Sequence, residues 1–452
     1  MGLVHVPPVV VAVSTREWAP AIICGAILVV GLAAGWSARG REPRRLALKE
    51  SLFLTALTYP AFSLAGAFVF WPEASFHDAF FEAVSGYTTT GLSVFTPEQL
   101  PTTLWFYRAW SQWVGGVGVL MLGLGVINST GRARVYLYST QLGPSRLPES
   151  PGALARRVGE RYVILSGFCG PAYWASGVPF VDSLYLASTT ISTAGFAPRT
   201  GSVGAYAGIG PGVVAVTFMF ISAINFPMLS RIRNHHGRAI LKDPQFHWLV
   251  TLFAGGFGLV WLASADPNHH PFETLFHVAS AITTTGLSVD PQSFDAPALR
   301  FLLVAFMTLG GSGGSTVGGL KLWRLILLVK LIMWWIRRQS VPREAVLRVK
   351  LMGRAVHADE LQALGAFLFG FGGLLFLVTW ALTLTGAGLS DALFEASSAL
   401  GNAGLSSGLT ASDMPTVRGY ILCLGMWFGR LEVLPLLYLL VPRLWYGSEH
   451  RT

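Results

Sequence analysis

Charged residues are scarce in this chain of 452 residues: 12% are Asp, Glu, Lys or Arg, and 52% are hydrophobic. A soluble domain carries about twice that charged fraction, so a water-soluble globular protein is excluded. Cysteine is rarer still, with three residues that all fall inside apolar stretches. We interpret them as small buried apolar side chains rather than as a disulfide or metal framework.

Signatures of enzymes are also missing. The sequence has no His/Glu cluster with metal spacing, no nucleotide-binding motif and no catalytic dyad. The pairs His235-His236 and His269-His270 stand in polar segments, where solvated side chains are the ordinary interpretation. A membrane enzyme or receptor is therefore an alternative function without support.

Long apolar stretches are what the chain has in abundance, and about 20 residues suffice to cross a bilayer. They are residues 19–37, 51–71, 103–127, 161–181, 205–229, 247–264, 361–385 and 415–441, with a longer one, 297–340, that glycines interrupt. The predicted fold class is an all-α integral membrane protein that crosses the bilayer many times.

Basic residues are distributed unevenly, although the net charge is +9. Most Lys and Arg residues fall in four segments, 39–49, 132–161, 231–242 and 321–354. The alternation of helices places these segments on one side of the membrane, which the positive-inside rule makes the cytoplasm. We expect no nucleic acid partner, an N-terminus outside and a C-terminus in the cytoplasm.

Four segments of the chain align without a gap. They are DAFFEAVSGYTTTGLS (Asp78–Ser93), DSLYLASTTISTAGFA (Asp182–Ala197), ETLFHVASAITTTGLS (Glu273–Ser288) and DALFEASSALGNAGLS (Asp391–Ser406). Each has an acid thirteen residues before a shared glycine, an aromatic residue ten before it and a hydroxyl six before it. This spacing indicates an internal repeat.

Each aligned segment lies between two apolar spans and is too short to cross the membrane. We predict a pore helix that dips in from outside and an extended return, because non-helical backbone at membrane depth must line a water-filled path or be buried in protein. The acid complements the positive N-terminal end of the helix dipole. The negative C-terminal end then points to where a cation would lie.

The residues after each pore helix are the predicted selectivity filter. They are Thr89, Thr90, Gly91 and Leu92; Thr193, Ala194, Gly195 and Phe196; Thr284, Thr285, Gly286 and Leu287; and Asn402, Ala403, Gly404 and Leu405. These loops resemble the TVGYG loops of potassium channels, whose backbone carbonyls replace the hydration shell of the ion. Four copies in one chain would complete the ring of potassium ligands.

The chain resembles the membrane subunits of the Trk/Ktr/HKT potassium transporters, and most closely their TrkH-like branch, over about residues 40–445. Beyond the filters, the resemblance rests on four further motifs. They are FYRAWSQWVGGVGV (Phe106–Val119), NFPMLSR (Asn225–Arg231) with LKDPQFH (Leu241–His247), GGSGGSTVGGLK (Gly310–Lys321) and GRLEVLPLL (Gly429–Leu437).

The resemblance implies four tandem outer helix–pore helix–inner helix repeats around a pseudo-fourfold pore, with an extra N-terminal helix. The expected units are residues 1–45 for the extra helix, then repeats at 46–130, 131–235, 236–350 (with a broken inner helix) and 351–452. The implied activity is potassium uptake through the filter, without an organic cofactor. Serine replaces the first filter glycine in some sodium-conducting relatives, so Gly91 favours potassium. Because Asn402 departs from threonine, a sodium or mixed-cation conductor remains the alternative.

The resemblance also implies a gate. The expected gate residues are Gly310, Gly311, Ser312, Gly313, Gly314, Ser315, Thr316, Gly318, Gly319, Lys321 and Arg430. A run of glycines breaks a helix, and a charge at the depth of Arg430 is a functional-site hypothesis by default. The alternatives are a close helix-packing face for the glycines and, for Arg430, pairing with Glu432 or a position at the cytoplasmic surface.

By the same resemblance, the expected partners are a second copy of the chain and a cytoplasmic nucleotide-binding ring of TrkA type, and the expected location is the bacterial inner membrane. The basic segment Arg337–Arg354 is either the docking face for that ring or a contact with lipid headgroups. Whether flux is channel-like or coupled to sodium or protons stays open.

Overall fold

The computed structural model describes residues 2–37, 48–125, 151–229, 240–263, 270–290, 296–342, 349–351, 354–356 and 358–431. Helices dominate these residues. In chain order they are α1 (Val6–Ser14), α2 (Trp18–Ser37), α3 (Leu48–Phe70), α4 (Phe76–Tyr87), α5 (Thr102–Gly125), α6 (Pro151–Ala175), α7 (Phe180–Ile191), α8 (Gly210–Ser222), α9 (Phe226–Leu229), α10 (Pro244–Ala263), α11 (Pro271–Ile282), α12 (Pro297–Leu309), α13 (Leu322–Gln339), α14 (Ala358–Leu384), α15 (Leu389–Gly401) and α16 (Thr416–Arg430). Two short strands, β1 (Lys350–Leu351) and β2 (Arg354–Ala355), pair antiparallel between α13 and α14.

Four helices of the described chain are long and apolar enough to cross a membrane. They correspond to the candidate spans Trp18–Ser37, Phe53–Glu73, Pro244–Leu262 and Ala358–Leu384. These helices expose large apolar side chains, such as Phe369 at 86% and Phe376 at 68%. An exposed apolar surface of this kind is stable against lipid rather than water, so the prediction of a helical membrane protein is confirmed.

The predicted pore helices are α4, α7, α11 and α15, each of 12 or 13 residues. At 1.5 Å per residue each reaches about 20 Å, short of a bilayer core of about 30 Å. Each has its predicted acid in the first turn: Asp78, Asp182, Glu273 and Asp391. The outer helices that lie before them face outward, whereas the C-terminal halves of the pore helices are buried.

The four repeats close into a ring. Within each repeat the pore helix packs on the outer helix before it and on the inner helix after it: α3, α4 and α5; α6, α7 and α8; α10, α11 and α12; α14, α15 and α16. Each inner helix also contacts the next pore helix, in the pairs α5–α7, α8–α11, α12–α15 and α16–α4. The last pair joins repeat four to repeat one, as a pseudo-fourfold arrangement requires.

The second inner helix is not the continuous span predicted for residues 205–229. It ends at Ser222, and a separate turn begins at Phe226. Two backbone groups in the break are bonded elsewhere: the Ala223 carbonyl accepts from Ser312 N (3.1 Å), and Phe226 N donates to the Gly314 carbonyl (3.0 Å). The glycine-rich segment of repeat three therefore supplies partners at the break, including one for the Ala223 carbonyl, to which Pro227 has no N–H to donate.

The N-terminal unit is a hairpin of two helices, where the sequence predicted one. Glu17, in the turn between α1 and α2, accepts hydrogen bonds from Thr102 N and Thr103 N at the start of α5 (both 2.9 Å). At the other end Gly2 lies against Leu28 of α2. The turn therefore lies on the side where the pore helices enter, and the chain before α1 begins near the middle of α2. The predicted location of the N-terminus on the outside stays a prediction.

The hairpin is joined to the first repeat through polar contacts. His5 Nε2 lies 3.2 Å from Tyr107 Oη, which lies 2.8 Å from Tyr87 Oη, at the last residue of α4. Trp110 Nε1 donates to the carbonyl of Val4 (2.7 Å). The N-terminal unit thus braces the end of the first pore helix, next to the filter.

Candidate functional site

The four filter loops share one backbone conformation. In each loop the first residue and the glycine two positions later have a positive φ. The values are 53° and 95° at Thr89 and Gly91, 50° and 87° at Thr193 and Gly195, 45° and 77° at Thr284 and Gly286, and 50° and 79° at Asn402 and Gly404. A left-handed backbone at a residue other than glycine costs about 1–3 kcal/mol and clusters at functional sites. Its occurrence at four equivalent positions indicates that this conformation is a common feature of the repeat.

The turn that leaves each pore helix is also repeated. The backbone N–H before the filter glycine donates to the carbonyl of the residue five positions earlier. The four bonds run from Thr90 to Ser85, Ala194 to Thr189, Thr285 to Ser280 and Ala403 to Ser398, with N···O distances of 2.9, 3.0, 2.9 and 2.8 Å. The hydroxyl residue of the sequence repeat therefore lies in the last turn of each pore helix, and its carbonyl closes the turn into the loop.

The filter loops touch one another in a closed ring. A Cβ added to each glycine would overlap the carbonyl that precedes the next glycine: Gly91 on Ala194, Gly195 on Thr285, Gly286 on Ala403 and Gly404 on Thr90. Glycine is thus required twice, by the positive φ and by the close approach of the neighbouring loop. The ring brings together the glycine of each predicted filter loop and the residue before it.

The four loops are not chemically equal. The Ala194 carbonyl accepts from Gln112 Nε2 (2.7 Å), and Gln112 Oε1 accepts from Phe196 N (3.1 Å). Asn402 Nδ2 donates to Thr90 Oγ1 and to the Met426 carbonyl, both at 2.9 Å. Asparagine is one of the residues that tolerate a left-handed backbone. Through the bond to Thr90, Asn402 also connects repeat four to repeat one.

A buried ion pair lies behind the first filter loop. Glu82 Oε1 accepts from Arg108 Nε at 2.6 Å, and both side chains are almost completely buried. Ser93 Oγ donates to Glu82 (2.9 Å), and the Arg108 guanidinium lies 4.3 Å from the centre of the Phe196 ring. The pair joins α4, the first return loop, α5 and the second filter. Sequence reasoning missed it because its partners stand 26 residues apart.

The rim on the pore-helix entry side carries an acid in a short 3₁₀ helix between the first filter loop and α5. Glu98 accepts hydrogen bonds from Thr200 N (2.6 Å) and Thr200 Oγ1 (2.7 Å). Partial burial by itself would raise the pKa of Glu98, but the bonds from Thr200 outweigh it and lower the pKa. Glu98 therefore carries a negative charge at neutral pH and links repeats one and two.

The glycine-rich segment 310–319 lies against the filter on the side where the pore helices end. All ten of its residues are buried. Thr193 Oγ1 donates to Thr316 Oγ1 (3.2 Å), and Gly318 N donates to Thr284 Oγ1 (2.8 Å). A Cβ on Gly318 would overlap the Gly401 carbonyl, just before the fourth filter. The segment thus touches three of the four filter loops.

Arg430 joins this segment from the fourth inner helix. It is 6% exposed at the end of α16, and its Nη1 donates to the Thr316 carbonyl (3.1 Å). Thr316 is therefore bonded both to the second filter and to Arg430. The remainder of the apolar stretch predicted for 415–441, together with Glu432, lies outside the described residues.

Two further predicted or suggested residues have local roles. Lys321 is buried before α13 with a φ of 69°, and its ammonium donates to the Val317 carbonyl within the same segment. Asn225, a candidate for a pore contact, accepts from Met228 N (3.1 Å) and so caps α9. Sequence alone does not distinguish these local contacts from contacts with an ion.

The chemistry available at the ring is that of neutral oxygen atoms. Backbone carbonyls and threonine hydroxyls are ligands for hard cations. In the described parts of the chain no group of three His, Cys, Asp or Glu residues could hold a metal ion. The arrangement suits a passing monovalent cation rather than a tightly bound divalent or transition metal.

The fold and this site define a class: a membrane protein with one pore formed by four re-entrant loops of a single chain. The family described as TrkH, cation transport protein, matches residues 24–266 and 264–445. The chain belongs to the TrkH family.

Relatives of known name are similar over nearly the whole chain. The Trk system potassium uptake protein TrkH of Salmonella typhimurium is 30% identical over 438 residues, covering 92% of this chain and 90% of that protein. The protein of the same name from Halomonas elongata is 29% identical and covers 98% and 96%. The crystal structure of the potassium transporter TrkH from Vibrio parahaemolyticus is 27% identical, with a TM-score of 0.86 over 98% of this chain and 96% of that one.

Proposed function

We propose that this protein takes up potassium ions through the ring of four filter loops. The observation that carries the proposal is the repeated backbone of the ring, with two left-handed residues in each loop and each glycine against the next loop. The names of the relatives, which describe potassium uptake, support the choice of ion. All four filter loops have the glycine that is expected in a potassium-selective filter.

A conductor with weaker selectivity is the second candidate, and the inequality of the loops favours it. Gln112 already binds the Ala194 carbonyl, and Asn402 replaces a threonine. An ion in this ring would meet unequal surroundings, because loops two and four depart from loops one and three. Selectivity for potassium over sodium would then be weaker than in a ring of identical loops.

We propose further that segment 310–319 and Arg430 form the gate. The segment touches three filter loops, and Arg430 binds its Thr316 carbonyl. A chain segment there would obstruct an ion that leaves the filter, and the guanidinium would repel it in a region of low dielectric constant. Movement of the segment away from the filter would open the path.

The assembly and location are proposals as well. We propose a homodimer in the bacterial inner membrane, contacting lipids and regulated by a separate cytoplasmic ring of the TrkA type that binds nucleotides. The basic segment 337–354 is the candidate docking face for the ring, although only part of it lies among the described residues. Chemical crosslinking in membranes, with and without the ring protein, tests both contacts.

The function is tested by rubidium uptake into liposomes that contain the purified chain. The wild type and a variant shortened at Gly313-Gly314 are compared, so that a closed gate does not hide the pore. We expect uptake driven by an inside-negative potential, stronger in the shortened variant, with potassium competing better than sodium. If neither protein exceeds empty liposomes, the proposed function is wrong.

A further inference from the structure

Two acids occupy the same place in repeats one and four. Glu82 and Glu395 each stand nine residues before the filter glycine, and both are fully buried. The equivalent residues of repeats two and three are Leu186 and His277. The fold of the repeat therefore does not require an acid there, so the two acids need another explanation.

Glu82 is neutralised inside the protein. The ion pair with Arg108 compensates its charge, because the two side chains approach to 2.6 Å and are both buried. A buried acid with such a partner adds little net field at a distance. Repeat one is therefore neutral at this position.

Glu395 is held differently. Its Oε1 accepts from Ser406 Oγ (2.5 Å) and Ser407 N (3.0 Å), and its Oε2 accepts from Thr410 Oγ1 (3.0 Å). These partners are neutral, and across the part of the chain that the structure describes no Lys or Arg pairs with it. The Ser406 hydroxyl approaches to the length typical of a hydroxyl–carboxylate hydrogen bond, and Glu395 accepts in all three contacts, as an ionised carboxylate does.

The position of Glu395 connects it to the ion path. Ser406 lies two residues past Gly404, so the carboxylate is bonded to the loop that leaves the fourth filter. Burial keeps water from screening the charge. A negative charge there is offset most simply by a cation in the adjoining pathway.

We propose that Glu395 carries a negative charge behind the fourth filter loop and raises the affinity of the pathway for monovalent cations. The inference rests on the proposed function, since it concerns how the same pore holds its ions. Because potassium and sodium carry the same charge, Glu395 strengthens the binding of both by a similar factor. It sets affinity, whereas the ring geometry sets selectivity.

A purely structural role would have a different signature. If Glu395 only fastened the segment from Ser406 to Thr410, its removal would loosen the fourth filter loop. A loosened filter discriminates less well between ions of different size. The ratio of potassium to sodium affinity therefore separates the two roles.

The test is the concentration dependence of potassium and sodium flux through the full-length chain in liposomes, for the wild type and for Glu395→Gln. We expect the half-saturating concentration of both ions to rise on the order of tenfold in the variant, because the pathway loses a negative charge that water does not screen. The potassium-to-sodium ratio should stay unchanged.

Two matched variants complete the design. Glu395→Asp keeps the charge and should keep most of the affinity, and Thr410→Ala removes one hydrogen bond but not the charge and should keep all of it. An unchanged half-saturating concentration in Glu395→Gln, or a changed ion ratio, overturns the proposal. If Glu395→Gln fails to fold, the Thr410→Ala variant still tests the proposal. A loss of cation affinity in Thr410→Ala would overturn it, because that variant keeps the charge. Absence of flux in the wild type and in the gate-shortened chain would instead refute the proposed function.

Discussion

The four filter loops and the segment beside them differ in symmetry. The loops repeat one conformation four times, at residues from Thr89 to Leu405. Segment 310–319, in contrast, occurs in the third repeat alone among the described residues, and reaches across to touch the second and fourth. Four similar loops can surround an ion, whereas one segment from one side can leave the path without rearranging the ring. The difference indicates that selection and gating are separate functions of separate parts.

The largest expected effect comes from breaking the ring itself. In Gly91→Ser the new side chain meets the Ala194 carbonyl, and the residue must keep a φ of 95°. We expect the potassium-to-sodium permeability ratio to fall on the order of tenfold. Reversal potentials in mixed gradients measure it.

Gly118→Ala is the matched control, because it lies in the first inner helix and an added Cβ there meets nothing within 4 Å. Its permeability ratio should equal that of the wild type. An unchanged ratio in a folded Gly91→Ser protein would contradict the assignment of the filter.

The next effect should come from the segment beside the ring. Deleting Gly313-Gly314 shortens the obstruction, and we expect rubidium flux without any partner protein to rise about tenfold, equivalent to a barrier lower by about 1.4 kcal/mol. The Gly314 carbonyl accepts from Phe226 N, so the deletion also frees the second inner helix. Equal or lower flux in the folded variant would leave the segment as a packing feature.

Arg430→Ala should raise flux by a smaller factor, because it removes repulsion and one bond to Thr316 but leaves the segment in place. In the double variant with the shortened segment, the two effects on the barrier should not add, since both act on one constriction. Flux of the two single variants and the double variant in the same liposomes measures the coupling. Additive effects would place Arg430 outside the gate.

The smallest effect should come from making the ring more uniform. Asn402→Thr gives the fourth loop the residue type of the others, but loses the bonds to Thr90 and Met426 and puts a β-branched residue at a φ of 50°. We expect a loss of about 1–3 kcal/mol in stability, seen as a lower melting temperature in detergent. Selectivity should change less than in Gly91→Ser. A more stable variant would show that Asn402 destabilises the fold rather than stabilising it.

The sequence predicted the repeats well because their signals are local. The acid, the aromatic residue, the hydroxyl and the glycine recur at fixed spacing within sixteen residues, and the structure places each pore helix there. The left-handed Thr89 and its equivalents were missed, since threonine disfavours that conformation. A comparison of the first residue in all four loops was the one sequence signal for this left-handed backbone.

Other features depend on contacts between distant residues and could not be predicted. Glu82 meets Arg108, and Gln112 meets the Ala194 carbonyl, only after the helices have packed. The backbone bonds from the broken second inner helix to Ser312 and Gly314 also form only on packing, although Pro227 is a local signal for the break itself. The first helix escaped notice because it is only nine residues long.

The central claim is that selection lies in the ring and gating in the segment beside it. The most direct measurement records flux and reversal potential together on the chain shortened at Gly313-Gly314. The account predicts higher flux with the potassium-to-sodium permeability ratio of the wild type, because the four loops keep their contacts with one another. A ratio that falls together with the rise in flux would contradict it, since the segment would then be part of the filter.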